Sequence, residues 1–351
     1  MDQRRDNLAQ WAVAMIRQHS DFDVTAEMDM VSGDASFRRY FRLRCLNHSW
    51  IAVDAPADKE DNPRFVRIAQ AWYKHDVAVP KVLAYDFDQG FMLLEDFGDQ
   101  MLWPALHADG VSSATVQGLY EQAITQLLHI QDLPADNLPP YDAALLDQEM
   151  ALFRDWLCVQ QLGMTLSSAE EQLLADTFAL LKANALAQPV VAVHRDYHSR
   201  NLMLRADGSL GVIDFQDAVA GPATYDLVSL LRDCYVRWPA ALVDELAASY
   251  WQQARPRGIY LGEWNQFQRD FDFMGMQRHL KAAGIFARLN LRDGKSGYLA
   301  DIPNTCQYLL EISGRYEECA AFHQWLAEVF IPQLDKLPAA GTDQRRDSSA
   351  E

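Results

Sequence analysis

The chain opens on a helical period: Leu8, Trp11, Ala12, Met15 and Ile16 share one face and predict a helix over 6–19. A mixed segment, 24–30, predicts a first strand, and 37–45 a second. In the second, Phe41, Leu43 and Cys45 alternate with Arg42 and Arg44, as a half-buried strand requires, while Arg39 falls on the apolar side. A third strand is predicted over 49–54, a helix over 62–75, and a strand over 77–86 with Pro80 at its entry. The turn Asp88-Gln89-Gly90 leads into a further strand that starts at Phe91 and ends before Gly98. Then the period changes. Val116, Leu119, Tyr120, Ala123, Ile124, Leu127 and Leu128 mark one face of a helix over 112–130. Helices follow at 147–161 and 167–186, the second opened by the capping pattern Ser167-Ser168-Ala169-Glu170. Beyond Leu231 the pattern is helical again, at 240–253, 264–289 and 302–316, with Phe273, Met276, Leu280, Ala283 and Ala287 as the core face of the longest. The class predicted is α+β, with the strands concentrated near the start.

One stretch, 190–231, follows neither period: VVAVHRDYHSRNLMLRADGSLGVIDFQDAVAGPATYDLVSLL. It reads as apolar strand, polar loop, short strand, turn, strand, polar loop, helix. The turn Ala206-Asp207-Gly208 lets the two short strands pair, so that Asn201 and Asp214 face each other across a hairpin. Phosphoryl transfer needs a carboxylate to orient and deprotonate an acceptor hydroxyl, and hard oxygen ligands to hold a metal on the phosphates. Asp196 is the candidate base, and Asn201 and Asp214 are the candidate metal ligands. The Asn201 amide supplies an oxygen without adding charge. An Asp/Asn-rich turn would account for any one of these residues, but three roles in the right order favour the catalytic reading.

Composition narrows the class. A chain of 351 residues suits two lobes, and at 49% hydrophobic it can bury a sizeable core. The net charge of −18 argues against nucleic acid and anionic membranes as partners. The same charge requires local cations or metal at any nucleotide site. The five cysteines, Cys45, Cys158, Cys234, Cys306 and Cys319, form no C-x-x-C pair, which points to a reducing compartment rather than a disulfide frame or zinc site. The first residues lack the apolar core of a signal peptide, and no apolar run reaches membrane-spanning length, so a cytoplasmic protein is expected. Arg278, His279, Lys281, Arg288, Arg292 and Lys295 make a basic cluster, either a solvated helix face or a site for an anionic acceptor.

His194-x-Asp196-x-His198-x-x-Asn201, followed by Ile213-Asp214-Phe215, resembles the catalytic and metal loops of the aminoglycoside phosphotransferase and choline kinase superfamily. The resemblance implies a protein-kinase-like two-lobe fold, with a small antiparallel-sheet N-lobe over 1–97 and a larger, mostly helical C-lobe over 98–340. The polar end, 341–351, is expected to be disordered. Three further blocks resemble the bacterial anomeric N-acetylmuramate/N-acetylglucosamine kinases of cell-wall recycling. They are GDASFRRYFR from Gly33, QRHLKAAGIFARL from Gln277, and Asp293-Gly294-Lys295 with Tyr298-Leu299. That branch implies transfer of phosphate from ATP, with Mg²⁺, to the anomeric hydroxyl of an amino sugar, by a monomer. The nucleotide would then meet Ser32, Gly33 and Ser36 of a phosphate loop, Arg39, Ala52, and the backbone edge from Glu95 to Phe97. The acceptor would meet His198, Gln216, Asp217, Arg278 and Lys281, with part of the basic cluster holding a lactyl carboxylate. His194 would support the loop and Asp226 would tie down its backbone.

There is one departure. Protein kinases carry a lysine two residues past an alanine of the third strand; after Ala52 that place holds Asp54. The helix over 62–75 has no glutamate and carries Arg64 and Arg67. One reading is an ion pair of reversed polarity, Asp54 with Arg64 or Arg67, an arginine then facing the phosphates. Two rivals follow: an aminoglycoside- or choline-type kinase, and a non-catalytic nucleotide-binding pseudokinase. The basic cluster weighs against a cationic acceptor, and the retained base and metal ligands weigh against the pseudokinase. No A-P-E pattern after Asp214 suggests a protein kinase.

Overall fold

A computed structural model describes residues 2–19, 22, 24–25, 27–32 and 37–337. Gly33 and Ser36 of the expected phosphate loop, the Ser32 side chain and the polar end at 341–351 lie outside the described residues. In chain order the first elements are α1 (Gln3–His19), β1 (Asp29–Ser32), β2 (Arg39–Cys45), β3 (His48–Asp54), α2 (Asn62–Lys74), β4 (Val82–Asp86) and β5 (Phe91–Glu95). Next come α3 (Leu102–Leu106), α4 (Ser113–Gln131), α5 (Ala143–Leu152) and α6 (Ser168–Ala187). The central stretch gives β6 (Val190–Val193), β7 (Leu202–Leu204), β8 (Leu210–Val212), β9 (Val219–Pro222) and α7 (Tyr225–Leu231). After it run α8 (Ala240–Ala254), α9 (Trp264–Asp293) and α10 (Ile302–Ser313).

The chain divides into two compact units, Met1–Leu133 with Arg200–Asp217, and Pro134–Ser199 with Ala218–Glu351. The sequence therefore passes from one unit to the other between Ser199 and Arg200, inside the loop that follows β6.

The first unit is built on an antiparallel sheet in the order β1-β2-β3-β5-β4. Tyr40 pairs with Val53 and Arg42 with Ile51, while Phe41 pairs with Ala52 and Arg39 with Asp54. Directly opposed residues share a face and neighbours along a strand alternate. One face therefore carries Phe41, Leu43, Ala52, Phe91 and Leu93, and α1 covers it with Leu8, Ala9, Ala12, Val13 and Ile16. Tyr40, Arg42, Ile51 and Val53 point to the other. The residues that open α2 cap it well: the Asp61 carboxylate accepts the Arg64 N–H at 3.0 Å, and Pro63 occupies the first turn.

The hairpin β7–β8 belongs to this unit, with Leu202 opposite Val212 and Leu204 opposite Leu210. Its edges are bonded to the unit: Leu204 N–H donates to Gln100 O and Val212 N–H to Ala78 O, both at 2.7 Å. Gly211 lies under the Phe97 ring, where an added Cβ would come within 2.4 Å of a ring carbon.

The second unit is mostly helical. α9 runs through it with charged residues buried along with the apolar ones, among them Asp270, Asp272, Arg278, His279 and Lys281. The solvated basic face is thus not found at Arg278 or Lys281, which are 5% and 7% exposed. β6 and β9 form a two-stranded antiparallel ribbon, Val191 opposite Gly221. α6 opens with the expected capping box between Ser167 and Glu170. The helix expected at 147–161 begins earlier, at Ala143, where Asp142 caps it, and its continuation Phe153–Gln161 is wound as a π-helix. The strand expected from Val77 starts only at Val82, since the segment before it is taken up by Pro80 and by the bond from Ala78 to the hairpin. None of the five cysteines forms a disulfide.

Candidate active site

In the second unit, the polar loop leaves β6 at His194 and turns sharply at Arg195, whose φ of 79° is left-handed, a region that costs a non-glycine residue free energy. Asp226, in the first turn of α7, stabilises that turn. Its two carboxylate oxygens accept the His194 N–H at 2.6 Å and the Arg195 N–H at 3.0 Å. This is the backbone tie expected of it. The Arg195 guanidinium donates to Glu149 at 2.7 Å. His194 Nδ1 accepts the Asp196 N–H at 3.3 Å, so this buried ring supports the loop from within. At the loop's far end Asp233 accepts both the N–H and the hydroxyl of Ser199, at 3.0 and 2.6 Å. Four backbone N–H groups around Asp196 are thus fixed by side chains.

The carboxylate of Asp196 has a cationic setting. Burial pushes its pKa up, but the charges of Lys281, His198, His194 and Arg278 outweigh that and hold it at about 2. Lys281 Nζ donates to the Tyr225 hydroxyl at 2.9 Å and lies 3.3 Å from Glu149 Oε1. Burial also raises Glu149, and Lys281 and Arg195 more than reverse it. Arg278 Nε donates to Ser229 Oγ at 2.5 Å. The His198 ring stands edge-on to Tyr235 at 5.4 Å, its Nδ1 has no hydrogen-bond partner among the described residues, and burial lowers its pKa. His279 has a packing role, stacked on Tyr308 at 4.6 Å and bonded to Arg232 O.

In the first unit, the hairpin places Asn201 beside Asp214, as the turn spacing predicts. Ile213 N–H donates to Asn201 O at 3.1 Å, and Asn201 Nδ2 lies 3.3 Å from Asp214 Oδ2. Asp214 has a φ of 65°, the second left-handed non-glycine residue of the central stretch. Its neighbour Phe215 is buried against Phe65 and Trp72 of α2, at ring distances of 4.9 and 5.8 Å, which anchors the turn and leaves the carboxylate exposed. Gln216 Nε2 donates to Asp214 Oδ1 at 2.7 Å, while Gln216 Oε1 is buried without a partner. Asp217 is exposed.

The residues expected at the site therefore form two groups. Asp196, His198, Arg278 and Lys281 gather in the second unit; Asn201, Asp214 and Gln216 gather in the first. At the end of β5, Glu95 accepts from Arg205 at 2.9 Å and from the Lys81 N–H at 3.2 Å, and the Arg205 guanidinium covers Phe97 at 4.6 Å. Arg39 and Ala52 stand elsewhere. Ala52 is fully buried beneath α1, and Arg39 donates to Asp54 at 3.1 and 2.5 Å on that same face. Asp54 also accepts from Arg4 Nε at 3.0 Å. The reversed pair of Asp54 with Arg64 or Arg67 is not formed, because strand alternation turns Asp54 toward α1 and away from the face of Tyr40. Residues missed in the sequence are Glu149 and Tyr225, whose partners are remote in the chain, and Arg38 and Tyr40, whose shared face strand parity would have revealed.

A sequence model of the phosphotransferase enzyme family matches residues 29–260, and the chain belongs to that family. It is an enzyme of phosphoryl transfer. Two curated relatives are named N-acetylmuramate/N-acetylglucosamine kinase. The one from Pseudomonas putida is 45% identical over 300 residues, covering 85% of this chain and 87% of that protein. The one from Neisseria meningitidis serogroup B is 40% identical over 330 residues, covering 93% and 96%. Among solved structures, choline kinase from Streptococcus pneumoniae aligns with a TM-score of 0.57 at 12% identity, over 88% of this chain and 99% of that one. Spectinomycin phosphotransferase, in complex with ADP and spectinomycin, aligns with a TM-score of 0.57 at 13% identity, over 86% and 93%. The kinase-like α+β fold expected from the central motif is the fold these structures share.

Proposed function

We propose that the enzyme transfers the γ-phosphoryl group of ATP to the anomeric hydroxyl of N-acetylmuramate and N-acetylglucosamine, giving sugar 1-phosphates in the recycling of cell-wall amino sugars. The observation that carries this reading is the setting of Asp196, a carboxylate kept ionised among Lys281, Arg278 and two histidines. A cationic surround suits a neutral or anionic acceptor and opposes aminoglycosides and choline. A base with so low a pKa is weak, and it is matched by an anomeric hydroxyl, which is more acidic than an ordinary alcohol. The name of the two relatives, N-acetylmuramate/N-acetylglucosamine kinase, agrees with that acceptor.

In this mechanism Asp196 accepts a hydrogen bond from the hydroxyl, orients its oxygen, and takes the proton as the new P–O bond forms. Lys281 and Arg278 keep the base ionised, and either is suited to a lactyl carboxylate. Asp214 and Asn201 would hold Mg²⁺. The residues fit such an ion: all offer hard oxygen donors, and the buried Oε1 of Gln216 lacks a partner beside them. When bound, the ion neutralises charge on the transferring phosphoryl group. The backbone past Glu95, up to Phe97, is suited to adenine. No helix among the described residues is long and apolar enough to cross a membrane, and use of ATP assigns the reaction to the cytoplasm.

The test is phosphoryl transfer from Mg-ATP to N-acetylmuramate, N-acetylglucosamine, choline and kanamycin, with Asp196→Asn as the control. Turnover of the amino sugars that is lost in the variant is the expected result. Turnover of only the cationic acceptors would overturn the substrate assignment. No turnover with ATP still bound would make the protein a pseudokinase.

A further inference from the structure

We propose that Arg38, oriented by Glu60, is the cation that binds the nucleotide phosphates in this enzyme, in the role that a strand lysine plays in protein kinases. This rests on the ATP-dependent reading above. Kinases fix a cation on the phosphates by pairing it with a carboxylate at the helix that follows the third strand. Here Asp54 takes the strand position, faces α1, and is neutralised there by Arg4 and Arg39. A cation is present on the other face of the sheet.

Arg38 is on that face. It precedes Tyr40 by two residues in β2's direction, so strand alternation gives the two the same side. Its side chain is 5% exposed, and its guanidinium lies 3.0 Å from Glu60 Oε2, just ahead of α2. The same guanidinium stands 5.4 Å over the Phe65 ring. Phe65 packs on Phe215 at 4.9 Å, and Phe215 is the residue after Asp214. A continuous set of contacts therefore leads from Arg38 to the proposed metal ligand. The Tyr40 hydroxyl senses all three charges. Burial pushes its pKa up to about 12, with Arg38 acting to lower it and Asp214 and Glu60 to raise it. A guanidinium has two edges and can hold a carboxylate and a phosphate together, which an ammonium does less well.

Several other cations of this unit are engaged elsewhere. Arg42 donates to both oxygens of Asp96, at 2.6 and 2.9 Å, and to Gly98 O. Arg205 is bound to Glu95, and Arg200 lies over Trp103. Lys59 is half exposed beside Asp58. The plain alternative is that Arg38 and Glu60 only join β2 to the start of α2.

Calorimetric titration of the full chain with Mg-ATP, Mg-ADP and adenosine separates the two. If Arg38 holds phosphate, Arg38→Met weakens Mg-ATP and Mg-ADP by about 10- to 100-fold, the range of a charge-assisted hydrogen bond. Adenosine binding stays within about twofold, since it has no phosphate, and Arg38→Lys recovers part of the loss. Glu60→Gln, which removes the orienting partner, weakens ATP less than Arg38→Met does. Parallel loss of ATP and adenosine, or no loss of either, overturns the proposal. If Arg38→Met does not fold, the double variant Arg38→Met/Glu60→Gln leaves no unpaired buried carboxylate and is titrated in its place. A wild type that binds Mg-ATP no more tightly than adenosine overturns the ATP-dependent reading itself, a result distinct from any difference between variants.

Discussion

Asp226 accepts the backbone N–H of Arg195 at 3.0 Å, and Arg195 occupies a left-handed conformation at φ 79°. The bond and the strain belong together: a carboxylate with two acceptor oxygens is what holds the turn that presents Asp196. Asp226→Asn keeps the shape but has one acceptor, and its NH₂ would face a backbone donor. We expect a loss of about 1–3 kcal/mol for the unsatisfied buried N–H, and a fall in kcat from the loosened base.

The same carboxyl group predicts a pH effect on stability. Burial raises the Asp226 pKa to about 6 from 3.8. A raised value means the folded state binds the proton more tightly than the unfolded state. This contribution to stability is fully present below about 3.8 and is lost as pH rises through about 6. Asp226→Asn lacks it. The melting temperature of the wild type should therefore exceed that of the variant by more at pH 4.5 than at pH 7. An equal gap at both would contradict the assignment.

Lys281 bears on the base in the opposite sense. It is the first of the charges that hold Asp196 at about 2. Lys281→Met should raise that value and bring an acid limb into the pH profile of kcat/KM, where the wild type shows none from Asp196. At pH 8 the variant should retain an ionised base. A profile unchanged in shape would mean that Lys281 acts on something other than Asp196.

The pair Arg42–Asp96 predicts a stability effect at the end of β5. Both side chains are nearly inaccessible, at 5% and 2%. Breaking a buried pair by removing one partner costs about 3–5 kcal/mol, and urea unfolding of Arg42→Met should show it at pH 7. Burial pushes Asp96 up, but hydrogen bonds from Arg42 and Ser49 bring it below 3.8. Its stabilisation is present above that value and disappears as pH falls through the folded value. The difference between variant and wild type should shrink in strong acid.

Local relations were legible in the sequence. The turn at Gly208 sets Asn201 opposite Asp214, and the Ser167–Glu170 box starts α6, because each involves residues close together in the chain. Strand parity was harder. In β3, Ala52 and Val53 are both fully buried, so apolar character cannot say which faces α1. That ambiguity led from Ala52 to Asp54 and past Arg38. The charges of α9 misled for another reason. Lys281 and Arg278 look solvated in a linear reading, and only the fold brings Tyr225 to the first and Ser229 to the second, 56 and 49 residues away.

Gly284 shows how closely α9 is fitted against its neighbour. A Cβ at Gly284 would lie 2.3 Å from the Leu152 carbonyl carbon and 2.5 Å from both its oxygen and the Phe153 nitrogen. These are backbone atoms at the point where α5 passes into the π-helical segment, and they cannot rotate aside. Gly284→Ala gains about 0.5–1 kcal/mol of helix propensity. Overpacking costs about 1–3 kcal/mol and more where backbone must move, so the net effect is destabilising. Gly118, in α4, offers the opposite case: it is exposed and a Cβ there meets nothing within 4 Å. Gly118→Ala should stabilise by about 0.5–1 kcal/mol. Urea unfolding of the two variants should thus give shifts of opposite sign from one chemical change. Because α9 carries Arg278 and Lys281, Gly284→Ala should also lower kcat at temperatures where the protein remains folded, while Gly118→Ala leaves kcat unchanged.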